Sequence, residues 1–441
     1  MVWYLALMLL MGLIVVLMTI GLPIAFAFFL TNIIGAAIFL GGGAGIMSFI
    51  QGSMSAIANF SLAPIPFFLL IGEILLRSGI AFKAVDAIDR AISRVPGRLA
   101  VVAVTGGTVF SALSGSTIAT TAMLGQALVP DMLRRGYHPT MTVGPIIAIG
   151  GVDMLIPPSN LVVIFATIAS SLSLVKISVS EALIAGTLPG LIMSAGFIAY
   201  IVIRCWWNPA LAPASNSDKL LSGRERWMPL VTHILPLLFV FIVMMGSMFA
   251  GWASPSESAA AGCLATVVLA MAYRALSWKI VLDSLRATVM VTTMLFLIIS
   301  ASTTFAQILA ISGAVDGALA KLATFELSAT ATVLSMVAIL IILGCFMEQI
   351  AMMLLTLPFF IPLANTLGLD MLWLSIVLLI SLQVGLMHPP FGLLLFVMRA
   401  VAPPEITLRH IWISTIPFVA IVLGVLALTI WVPWITTALV R

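Results

Sequence analysis

The chain has 441 residues, of which 62% are hydrophobic and only 8% are charged. Because roughly a quarter of the residues in an average soluble domain are charged, this composition excludes a soluble globular protein and indicates an α-helical protein that crosses a membrane many times. The net charge of +4 is too small and too dispersed for a nucleic-acid-binding protein. The three cysteines lie among apolar residues, at spacings that indicate neither a disulfide framework nor a metal site.

Apolar spans at about 2–20 and 22–40 open the chain. We expect the first to be a membrane helix, since it lacks the basic region and cleavage site of a signal peptide. A third apolar segment, about 47–76, contains prolines and is expected to be one bent or tilted span. The basic stretch 77–98 has apolar residues at helical spacing, which is typical of an amphipathic helix on the cytoplasmic membrane surface.

A Ser/Gly patch lies in the middle of the apolar stretch from about 99 to 130, and arginines lie beyond both ends of that stretch. Because basic residues favour the cytoplasmic side, we expect a re-entrant hairpin that enters and returns there. Its predicted tip consists of Ser114, Gly115, Ser116 and Thr117. The patch by itself is also explained by close helix packing, for which Ser and Gly are well suited.

A proline pair interrupts the next apolar run, which spans about 140–172. Proline removes a backbone donor and frees carbonyl groups, so Pro157 and Pro158, followed by Ser159, predict a broken helix. A break that faces the hairpin tip would form half of a solute site. One more crossing leads to a polar linker, about 208–229, which we expect in the cytoplasm.

The second half of the chain repeats the first. Four proline pairs are separated by 232 residues: Pro23 and Pro255, Pro130 and Pro362, Pro157 and Pro389, and Pro158 and Pro390. We infer an internal duplication, with a first repeat over 1–207 and a second over 230–441. The second repeat is expected to hold a hairpin at about 330–362 and a broken helix at about 371–401.

The number of crossings indicates that the two repeats are inverted. The first repeat has an odd number of full crossings, because its hairpin contributes none, and this places the second repeat upside down in the membrane. The predicted fold class is therefore an all-α polytopic membrane protein of two inverted repeats, each with a re-entrant hairpin and a broken helix. This is the architecture of ion-coupled secondary transporters.

Four motifs, in this order and at these spacings, resemble the large membrane subunit of tripartite ATP-independent periplasmic (TRAP) transporters, the DctM type. They are Ser114-Gly115-Ser116-Thr117, Leu155-Ile156-Pro157-Pro158-Ser159, Leu343-Gly344-Cys345-Phe346-Met347-Glu348 and Gly385-Leu386-Met387-His388-Pro389-Pro390-Phe391-Gly392. The resemblance covers essentially the whole chain. It implies a sodium-coupled importer of a small organic acid, a carboxylate or sulfonate, which works by an elevator motion in the bacterial inner membrane.

The resemblance also implies two partners and no cofactor beyond Na+ as the coupling ion. The partners are a small four-helix membrane subunit and a periplasmic binding protein that delivers the solute. An enzyme is disfavoured, because the four histidines have no metal-binding spacing and the chain has no Gly-rich phosphate loop. The remaining alternative is a proton-coupled organic-anion carrier that acts without a binding protein. The solute itself stays open.

A dehydrated cation needs several oxygen ligands, which a hairpin tip and an unwound helix can supply from two sides. One expected sodium site takes the hydroxyls of Ser114 and Thr117 with carbonyls around Asp153, Ile156 and Pro158. The resemblance implies a second sodium site at Gly344, Gly385, His388 and Phe391. An anionic solute would lie between them, near helix N-termini. The remaining candidates at the tips and breaks are Gly115, Ser116, Pro157, Ser159, Glu348, Pro389 and Pro390.

Two residues depart from the family pattern, with Asp153 in place of a glycine and His388 in place of a threonine. Ionisable residues inside a membrane are functional candidates, because their burial is costly. Asp153 could bind sodium directly, and His388 could bind solute or exchange a proton. The alternatives are structural: Asp153 bonded to a neighbouring helix, His388 capping freed carbonyls, and Glu348 stabilising its own tip.

Overall fold

The structure, a computed structural model, describes residues 2–92, 95–114, 117–173, 176–213 and 223–440. All regular secondary structure in these ranges is helical. Seven of the helices found there are long and apolar enough to cross a membrane, and shorter apolar helices accompany them. The protein is therefore an all-α, multi-pass membrane protein, as its composition predicts.

Before the polar linker, the described chain forms α1 (Trp3–Thr19), α2 (Ile24–Phe39), α3 (Gly43–Ile57), α4 (Pro64–Arg77), α5 (Ile80–Ala91), α6 (Arg98–Ser114), α7 (Thr117–Arg134), α8 (Pro139–Gly150), α9 (Asn160–Leu172) and α10 (Val179–Trp207). After it come α11 (Arg226–Phe249), α12 (Pro255–Ala272), α13 (Trp278–Ile311), α14 (Ala314–Ala323), α15 (Ala329–Leu343), α16 (Gln349–Thr366), α17 (Met371–Met387), α18 (Leu393–Val401), α19 (Leu408–Trp431) and α20 (Trp434–Thr437). Helix α11 includes two π-helical turns.

The order of elements after the linker follows the order before it. Helices α7 and α16 begin 232 residues apart, and so do α8 and α17, which is the separation of the proline pairs. A left-handed glycine precedes α5 and α14 alike, since Gly79 and Gly313 both have φ of +73° and glycine adopts this conformation without steric cost. We call α5 and α14 the arm helices. The opposite membrane orientation of the two repeats stays a prediction.

Helices α8 and α17 lie at the centre of the molecule. All residues of α8 from Met141 to Gly150 are buried, as are those of α17 from Leu374 to Met387. A helix that is apolar on every face requires neighbours on every face. We call α6 and α7 the first hairpin, which packs on α8. Helices α15 and α16 are the second hairpin, which packs on α17.

The first hairpin returns to the side from which it starts. The backbone N–H of Leu99, early in α6, donates to the hydroxyl of Tyr137, beyond the end of α7, with an N···O distance of 3.2 Å. Burial raises the pKa of Tyr137, so its hydroxyl stays neutral. Beside this contact, Arg98 donates two hydrogen bonds of 2.8 and 2.7 Å to Asp89, which ties the hairpin to arm helix α5.

The segment expected as one bent span is two helices, so that expectation was wrong. Helix α3 ends at Ile57 and α4 begins at Pro64. Between them Asn59 caps a short 3-10 turn, with its side-chain oxygen accepting from the N–H of Ser61 at 3.0 Å. Proline favours the first position of a new helix. The corresponding α13 contains no proline and continues unbroken for 34 residues.

Candidate functional site

The first hairpin tip lies between α6, which ends at Ser114, and α7, which begins at Thr117. Gly115 and Ser116 lie outside the described residues, as does the side chain of Ser114. Thr117 is buried, and its hydroxyl accepts a hydrogen bond of 2.9 Å from Nε2 of Gln349. Because Gln349 is the first residue of α16, the returning arms of both hairpins touch at their starting points.

The first break, residues 151–159, separates α8 from α9 and is buried in the protein. A 3-10 turn over Val152–Met154 includes the backbone of Asp153, whose side chain lies outside the described residues. Pro157 and Pro158 follow and are joined by a cis peptide bond. All the other residues of the break are buried. An ion held here would therefore be shielded from water.

Ser159 begins the second half of the first broken helix. Its hydroxyl accepts from the N–H of Val162 at 3.3 Å and donates to the carbonyl of Met154 at 3.1 Å. The first bond caps α9, and the second ties the preceding turn to that cap. These two bonds favour a structural role for Ser159 over direct contact with a solute.

Helix α10 supports the first break from behind. A Cβ on Gly186 would lie 2.6 Å from the carbonyl oxygen of Leu155, and one on Gly190 would lie 2.7 Å from Cγ1 of Ile156. Two glycines one helical turn apart thus let α10 approach the break closely. The side chain of Ile156 is therefore a packing group, which leaves only its backbone for an ion.

The second hairpin tip meets the second broken helix backbone to backbone. A Cβ on Gly385, in α17, would lie 2.9 Å from Cα of Gly344 and 3.0 Å from the carbonyl oxygen of Leu340. A Cβ on Gly344 would in turn lie 2.6 Å from the carbonyl carbon of Gly385. Only glycines permit this approach. The structure thus brings together two of the four residues predicted for the second sodium site.

Glu348 lies at the N-cap of α16, directly after the second tip. Its Oε1 accepts from the backbone N–H of Ile350 at 3.3 Å. A carboxylate in this position stabilises the helix N-terminus through that bond and through the helix dipole. The geometry therefore favours the tip-stabilising role for Glu348.

His388 ends α17 and opens the second break, residues 388–392. Its carbonyl oxygen accepts from the N–H of Gly392 at 3.0 Å. Its Nδ1 is buried and has no hydrogen-bond partner in the described part of the chain. The imidazole Nδ1 therefore does not cap the carbonyls that Pro389 and Pro390 free, and it is available for an ion, a proton or a solute.

Two phenylalanines flank the second half of the site. The rings of Phe346, at the tip, and Phe391, in the break, stack with centroids 6.3 Å apart. Next to them lies a cavity of about 280 Å³, lined by Gly344, Cys345, Phe346, Met347, Glu348, Phe391, Leu393 and Phe396. Pro390 and Phe391 are exposed, whereas the first break is buried. In this conformation the second half of the site is the accessible one.

The two repeats interlock around the site. Each hairpin packs on the broken helix of its own repeat and also on that of the other repeat: α18 contacts α7, and α9 contacts α16. Both tips and both breaks therefore belong to one packed unit.

Two buried glutamines in this unit escaped the sequence analysis. Gln383, in α17, is fully buried, and neither of its amide atoms has a partner among the described residues. Its Cγ would lie 2.6 Å from a Cβ on Gly151. The Oε1 of Gln349 is likewise buried without a partner. Both are polar residues in apolar runs, 232 residues after Gly151 and Thr117, and that spacing was the available signal.

Hairpin tips that face helix breaks inside a multi-pass helical bundle define a membrane transporter. The solved structure of the YdaH transporter from Alcanivorax borkumensis has the same fold. The two chains superpose with a TM-score of 0.65 at 13% identity, over 90% of each chain.

A family model described as "Tripartite ATP-independent periplasmic transporter, DctM component" matches residues 11–435, so the chain belongs to this family of transporter permeases. It is 31% identical over 390 residues, 86% of each chain, to the C4-dicarboxylate TRAP transporter large permease DctM of Pseudomonas aeruginosa. It is 27% identical over 423 residues to the ectoine/5-hydroxyectoine TRAP transporter large permease UehC of Ruegeria pomeroyi, covering 96% of this chain and 95% of that one.

The family assignment confirms the resemblance carried by the four motifs. It identifies the chain as a non-enzymatic, multi-pass permease of the bacterial inner membrane. The predicted ion ligands are not tested by it and stay predictions.

Proposed function

We propose that the protein is the large permease of a sodium-coupled TRAP transporter that imports a small organic acid by an elevator mechanism. The observation that carries this proposal is the close approach of hairpin tip and helix break. Gly344 lies against Gly385 in the second repeat, and in the first repeat a Cβ on Gly150 would lie 3.4 Å from the carbonyl oxygen of Thr117. Such paired interruptions offer backbone oxygens at membrane depth, where little else can bind a dehydrated ion.

The proposed sodium ligands follow from this arrangement. In the first repeat they are the hydroxyls of Ser114 and Thr117 with the backbone of the first break, to which Asp153 adds a carboxylate. In the second repeat they are the backbones of Gly344, Gly385, His388 and Phe391. Carbonyl and hydroxyl oxygens are suitable ligands for a hard cation.

The distribution of basic residues supports cation coupling. The chain has no lysine or arginine in residues 99–133, 136–175 or 322–398, which contain both hairpin tips and both breaks. An anionic solute bound there has no fixed cationic partner. Helix N-termini compensate only part of its charge, so co-bound sodium ions would supply the rest.

An elevator motion would explain an asymmetry between the two hairpins. The first hairpin packs directly on arm helix α5. A cavity of about 770 Å³, lined mostly by apolar side chains, lies between the second hairpin and arm helix α14. Two related repeats are packed differently when a rigid unit moves between two positions on a frame. The cavity is the space into which such movement would occur.

The proposed partners are a periplasmic binding protein, which delivers the solute, and a small four-helix membrane subunit. Membership of a family named for tripartite transporters supports both. The relatives are named for C4-dicarboxylates and for ectoine, so we propose a small organic acid, either anionic or zwitterionic, as the solute.

Uptake into proteoliposomes tests the proposal. The protein is reconstituted with the small subunit and binding protein encoded beside its gene, and radiolabelled succinate and ectoine serve as probes, after a thermal-shift screen of the binding protein against small acids. We expect uptake of the acid that stabilises the binding protein only when an inward sodium gradient is imposed. Full uptake driven by a proton gradient without sodium would overturn sodium coupling. Uptake without the binding protein would favour the proton-coupled carrier.

A further inference from the structure

Two contacts in the site join residues that occupy equivalent positions in the two repeats. Thr117 and Gln349, linked by the 2.9 Å hydrogen bond, are 232 residues apart. Gly151 and Gln383, whose atoms are in direct contact, are also 232 residues apart. The proline pairs of the two breaks have the same separation.

Contact between equivalent residues has a geometric meaning. When a two-fold operation relates two halves of a molecule, a residue can touch its own equivalent only beside the axis. Two such contacts at different places fix the line of that axis. Here it passes between the starts of α7 and α16, and then between the first break and α17.

Each of these axis contacts connects one predicted ion site to the other. Thr117 follows the first tip and Gln349 follows the second, next to Glu348. Gly151 lies two residues before Asp153, and Gln383 lies two residues before Gly385. Any displacement of a tip or break on one side is therefore passed directly to the corresponding point on the other.

The buried glutamines are costly unless their atoms are satisfied during the transport cycle. Both amide atoms of Gln383 and the Oε1 of Gln349 are buried without partners in the described structure. An unsatisfied buried polar atom costs about 1–3 kcal/mol. Ordering of the freed backbone of the facing break would supply the missing partners.

We propose that Gln349 and Gln383 are positioning residues that couple the two ion sites across the axis, so that sodium binding in one repeat orders the site in the other. This inference rests on the proposed sodium coupling. It predicts cooperative activation of uptake by sodium, because two coupled sites give a Hill coefficient that approaches about 2.

The test measures sodium activation of uptake for the complete reconstituted transporter. Gln349→Met and Gln383→Ala should each lower the Hill coefficient from about 2 to about 1, with less than a twofold change in maximal uptake. The matched control is Ser381→Ala, also fully buried in α17, whose hydroxyl bonds only to the carbonyl of Val377 in its own helix. It should leave the Hill coefficient unchanged.

A second pair of variants tests the contact with Gly151. Gly151→Ala places a methyl group against Gln383 and should abolish uptake. Gly151→Ala combined with Gln383→Ala removes the clash, so uptake should return with a Hill coefficient of about 1. A purely structural role of Gln383 would restore cooperativity together with uptake, which would overturn the proposal.

The outcomes separate coupling from the proposed function. An unchanged Hill coefficient in Gln349→Met and Gln383→Ala, with sodium dependence intact, would reject the coupling and leave sodium-driven transport standing. Absence of sodium dependence in the parent would reject both. If a variant is too unstable for reconstitution, sodium titration of the thermal unfolding of the detergent-purified complex gives the same comparison.

Discussion

Gly344 and Gly385 bring the second hairpin tip and the second broken helix into direct backbone contact. At the scale of single residues this site is defined by the absence of side chains, because any Cβ would separate the carbonyls that an ion needs. The first repeat instead has Asp153, an acid, at the position that corresponds to Gly385. The two sites are therefore chemically different, although related by sequence.

We expect Gly385→Ala to reduce sodium-driven uptake about tenfold or more, since each 1.4 kcal/mol of lost ion binding is tenfold. The added methyl group would lie 2.9 Å from Cα of Gly344, so tip and helix must separate. The control is Gly424→Ala, because a Cβ there meets no atom within 4 Å. Equal uptake by the two variants would contradict the prediction.

His388 gives a second prediction at this scale. Its Nδ1 is buried and unpartnered in the described structure, and imidazole is the side chain that most readily changes charge between about pH 5 and 8. We expect His388→Thr to flatten the pH profile of uptake over that range. His410→Gln is the control, since His410 serves a helix cap with Thr407 far along the chain from the tips. An identical profile in His388→Thr would leave His388 without a titrating role.

At the scale of elements, the hairpins differ in how their arm helices hold them. Arg98 and Asp89 join the first hairpin to α5, and their side chains are only 14% and 18% exposed. In the second repeat, α14 ends at Ala323 and α15 begins at Ala329, neither of which can form an ion pair. The first hairpin is therefore the more firmly held in this conformation.

We expect Arg98→Ala to shift the protein away from this conformation, because it leaves Asp89 without its bidentate partner. Losing one partner of a largely buried pair costs on the order of 1 kcal/mol or more after solvent screening. In a Cys205→Ser, Cys263→Ser background, maleimide labelling of Cys345 should slow several-fold. Arg90→Ala is the control, since its ion pair with Asp86 on the same helix is exposed. Equal labelling rates would exclude a latch.

At the scale of the whole molecule, one side of the site is open and the other is closed. The second break is exposed beside a cavity, and a larger cavity separates the second hairpin from α14. The first break is buried, and its hairpin packs directly on α5. A transporter with related repeats is expected to have this one-sided arrangement in each of its end states.

Filling the larger cavity should arrest the cycle. Ala318, on α14, lines the cavity, and Ala318→Trp should reduce uptake about tenfold or more by preventing closure, as expected for a loss of 1.4 kcal/mol or more in the closed state. Cys345 should stay as accessible as in the parent. Ala318→Ser is the control of small volume. Normal uptake by Ala318→Trp would mean that this space does not close during transport.

The sequence by itself determined the class of protein and the location of its special segments. Composition excludes a soluble chain, and proline pairs and Ser/Gly tips interrupt helices wherever they lie, because backbone donors and allowed φ values are local properties. For the same reason the expected single span at 47–76 was wrong, since Asn59 and Pro64 end and restart a helix locally. The 232-residue repeat was also readable from the sequence.

Only the tertiary structure decided which interruptions meet and which side is open. The contacts of Thr117 with Gln349 and of Gly151 with Gln383 depend on how helices far apart in the chain pack. Gln349 and Gln383 differ little in sequence from any polar residue in an apolar helix, and packing alone puts them beside the axis. Exposure of one break and burial of the other also depend on the relative positions of hairpins and arm helices, which local chemistry leaves free because both positions bury the same apolar faces.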